Sequence, residues 1–302
     1  MYTSKGNDMF EQVLLPTDFS PDSQRILGYV RDIPGIRKIT LLHVAEAPAP
    51  LQRESDQDPQ AKNPRILIDE CRKVLEKSGV ASDLAVETIV QENTRGDLPS
   101  SILETAETEN VSLIIMAARG NNPDTTILTS SISGNVIRSA KIPVLLMRFP
   151  PESGATDDHP NLFSRVLVPV DFSKPSVETL AMVKGIPNAG RVFLMHVVNN
   201  GKSDPLDSSV QAAVEDARKR LEIIRHDLAA DGIPAEVRAS AGYAPDEIDT
   251  TAERDNVTLI LMSPHGEGWT RNLRTLFIGS TTTAVIRRVH RPLLVTAGGK
   301  PA

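Results

Sequence analysis

The sequence predicts an α/β fold made of two doubly wound domains, each with a five-stranded parallel sheet, and three observations predict it. Short apolar segments alternate with helical patterns along the chain. Only 4% of the residues are aromatic, so the cores must be aliphatic, as buried parallel strands are. The same series of motifs also occurs twice. Strands that alternate with helices favour a parallel sheet covered on both faces.

Five strand candidates recur in each half. They lie near 12–16, 38–44, 84–90, 112–117 and 143–148, and again near 165–169, 191–197, 235–239, 258–262 and 292–296. Between the second and third strands, apolar residues from Val210 to Leu228 recur at steps of three and four, which predicts a long helix ending at Asp231-Gly232. Leu67, Cys71, Val74 and Leu75 predict its counterpart in the first half.

The chain is an internal duplication. Four segments return in the same order: Val13–Ser20 as Val166–Ser173, Thr40–Val44 as Phe193–Val197, Leu113–Met116 as Leu259–Met262, and Asn135–Leu146 as Ala284–Val295. The segment between the copies is polar and bracketed by prolines, which is typical of an exposed linker. We therefore predict one domain at 1–149, a linker at 150–161 and a second domain at 162–302.

Composition excludes several classes of protein. The net charge of −6 argues against a protein that coats nucleic acid, which needs a basic face. Cys71 is the sole cysteine, so neither an internal disulfide nor a thiolate metal cluster can form, and its apolar neighbours predict a packed, inert thiol. No secretion segment or membrane span is visible, so we expect a cytoplasmic protein without membrane or nucleic-acid partners.

Ligands of such sheets gather beyond the carboxyl ends of the strands. Asp18 and Asp171 follow the first strand of each half, where a carboxylate accepts hydrogen bonds from a nucleoside; equally, the Asp or the next serine serves as a helix cap. His43 and His196 have apolar neighbours and are expected to be satisfied core histidines. Val44, Val197 and Gly242 also follow or end strands, either as pocket residues or as ordinary core and turn residues.

The loop after the fourth strand carries small residues before a helix. In the first half, Ala117–Gly120 is followed nine residues later by Ser130 and Ser131; in the second, Ser263–Gly266 is followed twelve residues later by Gly279 and Ser280. Backbone amides at such a helix start can hold phosphate oxygens, and a serine there adds a donor or caps the helix. By spacing alone, both interpretations stay open.

Taken together, Asp-Phe-Ser, Leu-Leu-His-Val, Ile-Ile-Met and the closing Pro-Val-Leu-Leu resemble universal stress proteins over nearly the whole chain, twice. The resemblance implies a Rossmann-like sheet of five parallel strands in each half. It also implies that some relatives hold ATP, through Gly-x-x-Gly, nine residues, and Gly-Ser or Gly-Thr, while others do not.

The resemblance places the nucleotide-contacting carboxylate at Asp18 and Asp171 and the adenine-side valine at Val44 and Val197. The phosphate loop falls on Gly120, Ser130 and Ser131 in the first half, and on Ser263, Gly266, Gly279 and Ser280 in the second. Neither loop is intact: Ala117 and Ser130 replace glycines in the first, and Ser263 replaces one in the longer second loop. Where a glycine has positive φ, a side chain costs about 1–2 kcal/mol, which makes the second half the better candidate.

Three functions compete. The first is a stress-response regulator that binds ATP, with or without Mg²⁺, at least in the second half, and acts through protein contacts. The second is a nucleotide-free scaffold, and the third a slow ATPase. A non-enzyme is expected, because no Walker lysine, nucleophile elbow or metal pair is visible.

The last strands of the two halves are expected to pair. Single-domain relatives commonly associate through this strand, so Ile142–Met147 and Arg291–Thr296 could pair within one chain as a pseudo-dimer. That pairing would cover two sheet edges that would otherwise be exposed. Association of two chains into a homodimer stays open.

Overall fold

The structure is a computed structural model of the 302-residue chain. It describes residues 9–46, 63–77, 84–93, 97–118, 132–149, 160–201, 203–266 and 278–297. The strands are β1 Gln12–Pro16, β2 Lys38–Glu46, β3 Ala85–Asn93, β4 Leu113–Ala117, β5 Val144–Met147, β6 Arg165–Pro169, β7 Arg191–Val198, β8 Ala235–Ala241, β9 Leu259–Met262 and β10 Leu293–Val295. The helices are α1 Pro21–Tyr29, α2 Pro64–Lys77, α3 Leu98–Thr108, α4 Ile132–Ser139, α5 Lys174–Gly185, α6 Ser208–Ala230, α7 Ala244–Arg254 and α8 Ser280–Arg288.

The strands form one sheet in the order β3-β2-β1-β4-β5-β10-β9-β6-β7-β8. Within each half all strand pairs are parallel. The second and third strands of a half lie on one side of its first strand, and the fourth and fifth lie on the other. This confirms the doubly wound architecture of two five-stranded parallel halves. The chain path of the first half is repeated by the second.

The two halves join through β5 and β10, which pair antiparallel, with Leu145 opposite Leu294. The predicted pairing of the last strands is therefore confirmed, and the two sheets become one. Both leucines are 1% exposed, so this seam is part of the core. Pairing the strands satisfies backbone groups that would otherwise form two sheet edges.

Helices cover both faces of the sheet. One buried cluster packs β-strand side chains against α1, α2, α5 and α6, and a second packs the opposite side chains against α3, α4, α7 and α8. The strands run through both clusters because successive side chains of a strand point to opposite faces. Among the described helices, none has the length and apolar character that a membrane crossing requires.

The long helix of the second half follows its sequence pattern. Val210, Ala217, Leu221 and Leu228 of α6 are buried at the predicted spacing. Gly232 has φ +78°, the left-handed conformation that ends a helix at little cost only for glycine. In the first half, Cys71 and Leu75 of α2 are buried, but Val74 is 51% exposed, so its place on the apolar face was predicted wrongly. Val74 and Leu75 are consecutive residues, so they point to different sides of the helix, and Leu75 takes the buried side.

Candidate functional site

The candidate site lies at the carboxyl edge of the second half, beside the first strand of that half. β6 has β7 on one side and β9 on the other, so this is the point where the strand order reverses. In open α/β sheets ligands bind in the crevice at such a point. The segments that follow β6 and β9 therefore form its two walls.

The first wall is a tight turn that holds Asp171. Its Oδ1 accepts hydrogen bonds from Ser173 N at 3.0 Å and Ser173 Oγ at 2.5 Å. Ser173 is itself the N-cap of α5, where its Oγ accepts from Ser176 N. The helix cap is therefore Ser173 and not Asp171, and Asp171 fixes the turn that precedes the helix.

The first half repeats this turn. Asp18 Oδ1 accepts from Ser20 N at 3.0 Å, and Ser20 caps α1 by accepting from Ser23 N. Asp18 is exposed, whereas Asp171 is half-buried. The carboxylate of the second half is thus more strongly enclosed by its surroundings.

An aromatic residue in an unusual conformation follows each aspartate. Phe19 and Phe172 have φ of 60° and 62°, in the left-handed region that bulky residues rarely adopt. Each ring packs on the histidine of the second strand, with centroids 4.5 Å apart for Phe19 and His43 and 4.6 Å apart for Phe172 and His196. These contacts help to hold a conformation that costs about 1–2 kcal/mol for a residue with a Cβ.

The two histidines are satisfied. His43 Nδ1 lies 2.8 Å from Thr17 O, and His196 Nδ1 lies 2.6 Å from Val170 O. Since a carbonyl can only accept, Nδ1 carries a proton in each case. The predicted role of structural histidines is confirmed, and their partners are the backbone carbonyls just before each aspartate.

The second half adds a cation to this stack. Arg220 is an exposed residue of α6, and its guanidinium lies 3.7 Å from the centre of the Phe172 ring. The sequence did not reveal the role of Arg220. Helical periodicity identifies the residues that are buried, but it does not show which neighbour an exposed side chain contacts. Arg220 brings a positive charge to within a few ångströms of the turn that holds Asp171.

The second wall is the loop after β9, which is tied to the start of α8. Ser263 Oγ donates to His265 O at 2.7 Å, and Gly279 N donates to Pro264 O at 2.8 Å. Thr282 Oγ1 donates to Ser263 O at 3.0 Å from within a buried position. Ser263 lies in the loop, as expected. The sequence did not reveal Thr282, whose buried hydroxyl bonds Ser263, because nothing distinguishes one threonine in a run of three.

The start of α8 provides backbone donors. Gly279 is its N-cap and has no side chain to bond the first amides; Ser280 is the first helical residue and is exposed. The first amides of a helix lack intrahelical partners and attract anions. This end of α8 lies against the loop after β9, since Gly279 N is bonded to Pro264 O.

The two walls meet at Gly266. A Cβ built on Gly266 would lie 2.3 Å from Asp171 Oδ2, whereas real Cβ contacts are essentially never below 3.0 Å. A side chain at position 266 would therefore have to displace the Asp171 carboxylate. Gly279 has φ −55° and Gly266 is not among the glycines of positive φ, so a left-handed backbone is not what calls for glycine at either position.

The remaining predicted residues of the second half lie along the same edge. Val197, at the end of β7, is half-buried against the cluster that includes β9 and α8. Gly242 follows β8 and its N–H donates to Val198 O at 3.0 Å, which keeps the ends of β7 and β8 together. In the first half, Val44 is half-buried at the corresponding place on β2. Gly120, Ser130 and Ser131 lie outside the described residues.

His265 is the titratable residue of the second wall. Burial lowers the pKa of its imidazole below the ordinary value of 6.5, because a partly buried ring favours the neutral form. At neutral pH this histidine therefore adds little positive charge to the loop.

Comparison with known proteins agrees with the duplication. The model of the universal stress protein family matches the chain twice, at residues 9–148 and 162–297. Universal stress protein MJ0577 of Methanocaldococcus jannaschii is 27% identical over 156 residues, which cover 44% of this chain and 94% of that protein.

Two solved structures match nearly the full length. A universal stress protein from Archaeoglobus fulgidus has a TM-score of 0.64 at 26% identity, covering 96% of this chain and 97% of that one. A functionally unknown protein, PA1789, from Pseudomonas aeruginosa has a TM-score of 0.61 at 15% identity, covering 97% and 94%, and so shares the fold. With two family domains along one chain, this protein belongs to the universal stress protein family as a tandem member.

Proposed function

We propose that this stress protein is a regulator that binds an adenine nucleotide, ATP in the first instance, in its second half, and that it acts through contacts with other proteins. The observation that carries the proposal is the meeting of Asp171 with Gly266. It brings a carboxylate, a small-residue loop and the amides of a helix start to one place at the switch point of the sheet.

Each part has a chemical role in such a site. The carboxylate of Asp171 can accept hydrogen bonds from ribose hydroxyls or an exocyclic amine. The amides at Ser280 and beyond can donate to phosphate oxygens, helped by the positive end of the α8 dipole. Val197 lies among apolar residues and offers a surface for the base. Mg²⁺, if it enters, would come with the phosphates; no group of metal-binding side chains occurs among the described residues.

The second half is the better candidate for three reasons. Asp171 is more enclosed than Asp18, and Arg220 lies beside the turn that holds it. The first half departs more from the glycine pattern at Ala117 and Ser130. We therefore propose a single nucleotide per chain.

The test is thermal melting of the full chain with and without ATP and MgCl₂, preceded by denaturation of a sample to detect nucleotide carried through purification. A ligand at one hundred times its Kd stabilises the native state by about 2.7 kcal/mol, which raises Tm by several degrees. Asp171→Asn is expected to remove most of this shift, and the matched change Asp18→Asn to leave it in place.

The outcomes separate the candidate functions. No shift and no released nucleotide would contradict the proposal and support a scaffold without nucleotide. Equal losses in Asp171→Asn and Asp18→Asn would contradict the assignment to one half. Release of phosphate at a steady rate that Asp171→Asn abolishes would contradict the expectation of a non-enzyme and support a slow ATPase.

A further inference from the structure

Two short segments of the chain contact the half to which they do not belong. Met9 and Phe10 precede β1 and lie against the second half; Leu162 and Phe163 precede β6 and lie against the first. The two pairs occupy the same register of the repeat, 153 residues apart. We call Met9 and Phe10 the first arm, and Leu162 and Phe163 the second arm.

The second arm is held by apolar packing and a hydrogen bond. Leu162 and Phe163 are 1% and 3% exposed and belong to a core cluster that contains residues of both halves. Leu162 N donates to Asp32 Oδ2 at 2.9 Å, and Asp32 lies just after α1. This contact is closed to solvent, and the leucine side chain has no atom that a mild oxidant attacks.

The first arm depends on a thioether instead. Gly185, at the end of α5, occupies the register position of Asp32, so the second half offers no carboxylate at that position. The Met9 methyl fills the space of the missing side chain: a Cβ built on Gly185 would lie 2.1 Å from Met9 Cε and 3.7 Å from its sulfur. Phe10, the next residue, is 0% exposed. The first arm is thus held by a buried ring and by the contact between Met9 and Gly185.

Met9 is the most accessible methionine among the residues that the structure describes. It is half-buried, and it lines the groove between the halves together with Ile142, just before β5, and Thr296, just after β10. An oxidant must reach the sulfur, so susceptibility follows exposure. An oxidant in solution should therefore distinguish Met9 from the other described methionines. These are at most 6% exposed: Met116, Met147, Met182, Met195 and Met262.

We propose that Met9 is a site of reversible oxidation by hydrogen peroxide, and that its oxidation loosens the contact between the first arm and the second half. A lone pair of the Met9 sulfur attacks one peroxide oxygen, and the O–O bond breaks. The transferred oxygen gives its proton to the departing hydroxide, which leaves as water. The thioether loses two electrons and the peroxide gains them, and methionine sulfoxide reductases reverse the change.

The sulfoxide is unsuited to the place over Gly185. Its oxygen is a polar acceptor, and burying a polar group without a hydrogen bond costs free energy, so the oxidised side chain turns toward the groove. The antiparallel pairing of β5 and β10 does not involve the arm, so the halves stay joined. Met9 precedes β1 at the amino edge of the sheet, whereas the candidate nucleotide site lies at the carboxyl edge. Oxidation therefore loosens one arm and does not depend on nucleotide binding.

The test treats the full chain with hydrogen peroxide until free methionine in the same solution is largely converted. Trypsin separates Met1, in peptide 1–5, from Met9, in peptide 6–25. Mass spectrometry should show oxygen added to peptide 6–25 at least about tenfold faster than to the peptides of the buried methionines. Tm should fall by about 2 °C and amide exchange at the end of α5 should quicken. Reductases for both sulfoxide epimers should restore both properties.

Two variants and a control complete the test. Met9→Leu gives the first arm the residue that the second arm has at Leu162; it should keep the wild-type Tm and lose the response to peroxide. Gly185→Ala puts a Cβ where the Met9 methyl lies, so Met9 should be oxidised faster and its oxidation should lower Tm little further. Gly28→Ala in α1, whose new Cβ has no neighbour within 4 Å, should respond as the wild type does.

Selective oxidation of Met9, with losses that Met9→Leu prevents, would support the proposal. It would be overturned if the buried methionines are oxidised as fast as Met9, or if oxidation of Met9 leaves Tm and amide exchange unchanged. An equal fall of Tm in Met9→Leu and the wild type would overturn it as well, because Met1 or another residue would then be responsible. None of these measurements uses a nucleotide, so failure of the nucleotide proposal leaves them intact.

Discussion

Gly266→Ala tests how the two walls of the candidate site fit together. The new Cβ would lie 2.3 Å from Asp171 Oδ2, so one of the two must move by at least 0.7 Å to reach the 3.0 Å limit of real contacts. The loop is held by bonds from Ser263 Oγ, Gly279 N and Thr282 Oγ1. We therefore expect the carboxylate to move.

The cost follows from the bonds that Asp171 would lose. Its Oδ1 accepts from Ser173 N at 3.0 Å and Ser173 Oγ at 2.5 Å, and a shift of this size lengthens both beyond good geometry. Hydrogen bonds to charged groups contribute about 1.5–3 kcal/mol each when buried, and Asp171 is half-exposed. We expect the variant to lose about 1–2 kcal/mol of unfolding free energy.

The assay is urea unfolding of the full chain followed by circular dichroism, with Gly279→Ala as the matched control. A Cβ on Gly279 would lie 3.4 Å from its nearest neighbour, Pro264 O, and φ is −55°, so this change should cost less than about 0.5 kcal/mol. In the background Asp171→Ala, the cost of Gly266→Ala should largely vanish, because the clash has gone. A full cost in that background would refute the reasoning.

Four further predictions concern the core, the stacked turn, the loop histidine and the cysteine. Leu294→Ala should cost about 2–5 kcal/mol of unfolding free energy by opening the seam between the halves, whereas Leu206→Ala, at an 82% exposed residue, should be neutral in the same urea titration. Phe172→Gly should be about 1 kcal/mol more stable than Phe172→Ala, because only glycine tolerates φ +62° without strain; equal stabilities would argue against that conformation. Since burial lowers the pKa of His265, the stability that its neutral form contributes is complete above pH 6.5 and is lost as the pH falls through the folded pKa; unfolding measured from pH 7.5 to 5 should show a smaller decline in His265→Gln. Burial raises the pKa of the Cys71 thiol, so a disulfide reagent at pH 8 should react only on unfolding, and rapid labelling of the native protein would contradict this.

The turn at Asp171 shows what pattern alone leaves open. Asp-Phe-Ser after an apolar strand was compatible with a ligand-binding carboxylate or a helix cap, because both use the same residue types at the same place. The coordinates identify the cap, because Ser173 Oγ accepts from Ser176 N and Asp171 Oδ1 accepts from Ser173 N. They also place the second carboxylate oxygen of Asp171 against Gly266, a contact that no local pattern predicts.

The two loop glycines, Gly266 and Gly279, also could not be distinguished from the sequence. The sequence marks Gly266 and Gly279 equally, since each stands in a small-residue loop before a helix. The structure distinguishes them by the neighbour that a side chain would meet, a carboxylate oxygen at one and a backbone oxygen at ordinary contact distance at the other. The contact at Gly266 is made by Asp171, 95 positions earlier in the chain, so no local sequence pattern can predict it.

By itself the sequence determined the duplication, the order of strands and helices and the parallel halves, because periodicity, turn residues and repetition are local or can be compared along the chain. The pairing of the last strands followed from the resemblance to universal stress proteins. Tertiary structure alone decided that Asp171 rests on Gly266 and that Arg220 covers Phe172. These depend on contacts between residues far apart in the chain, whose distances are set by how the helices pack on the sheet.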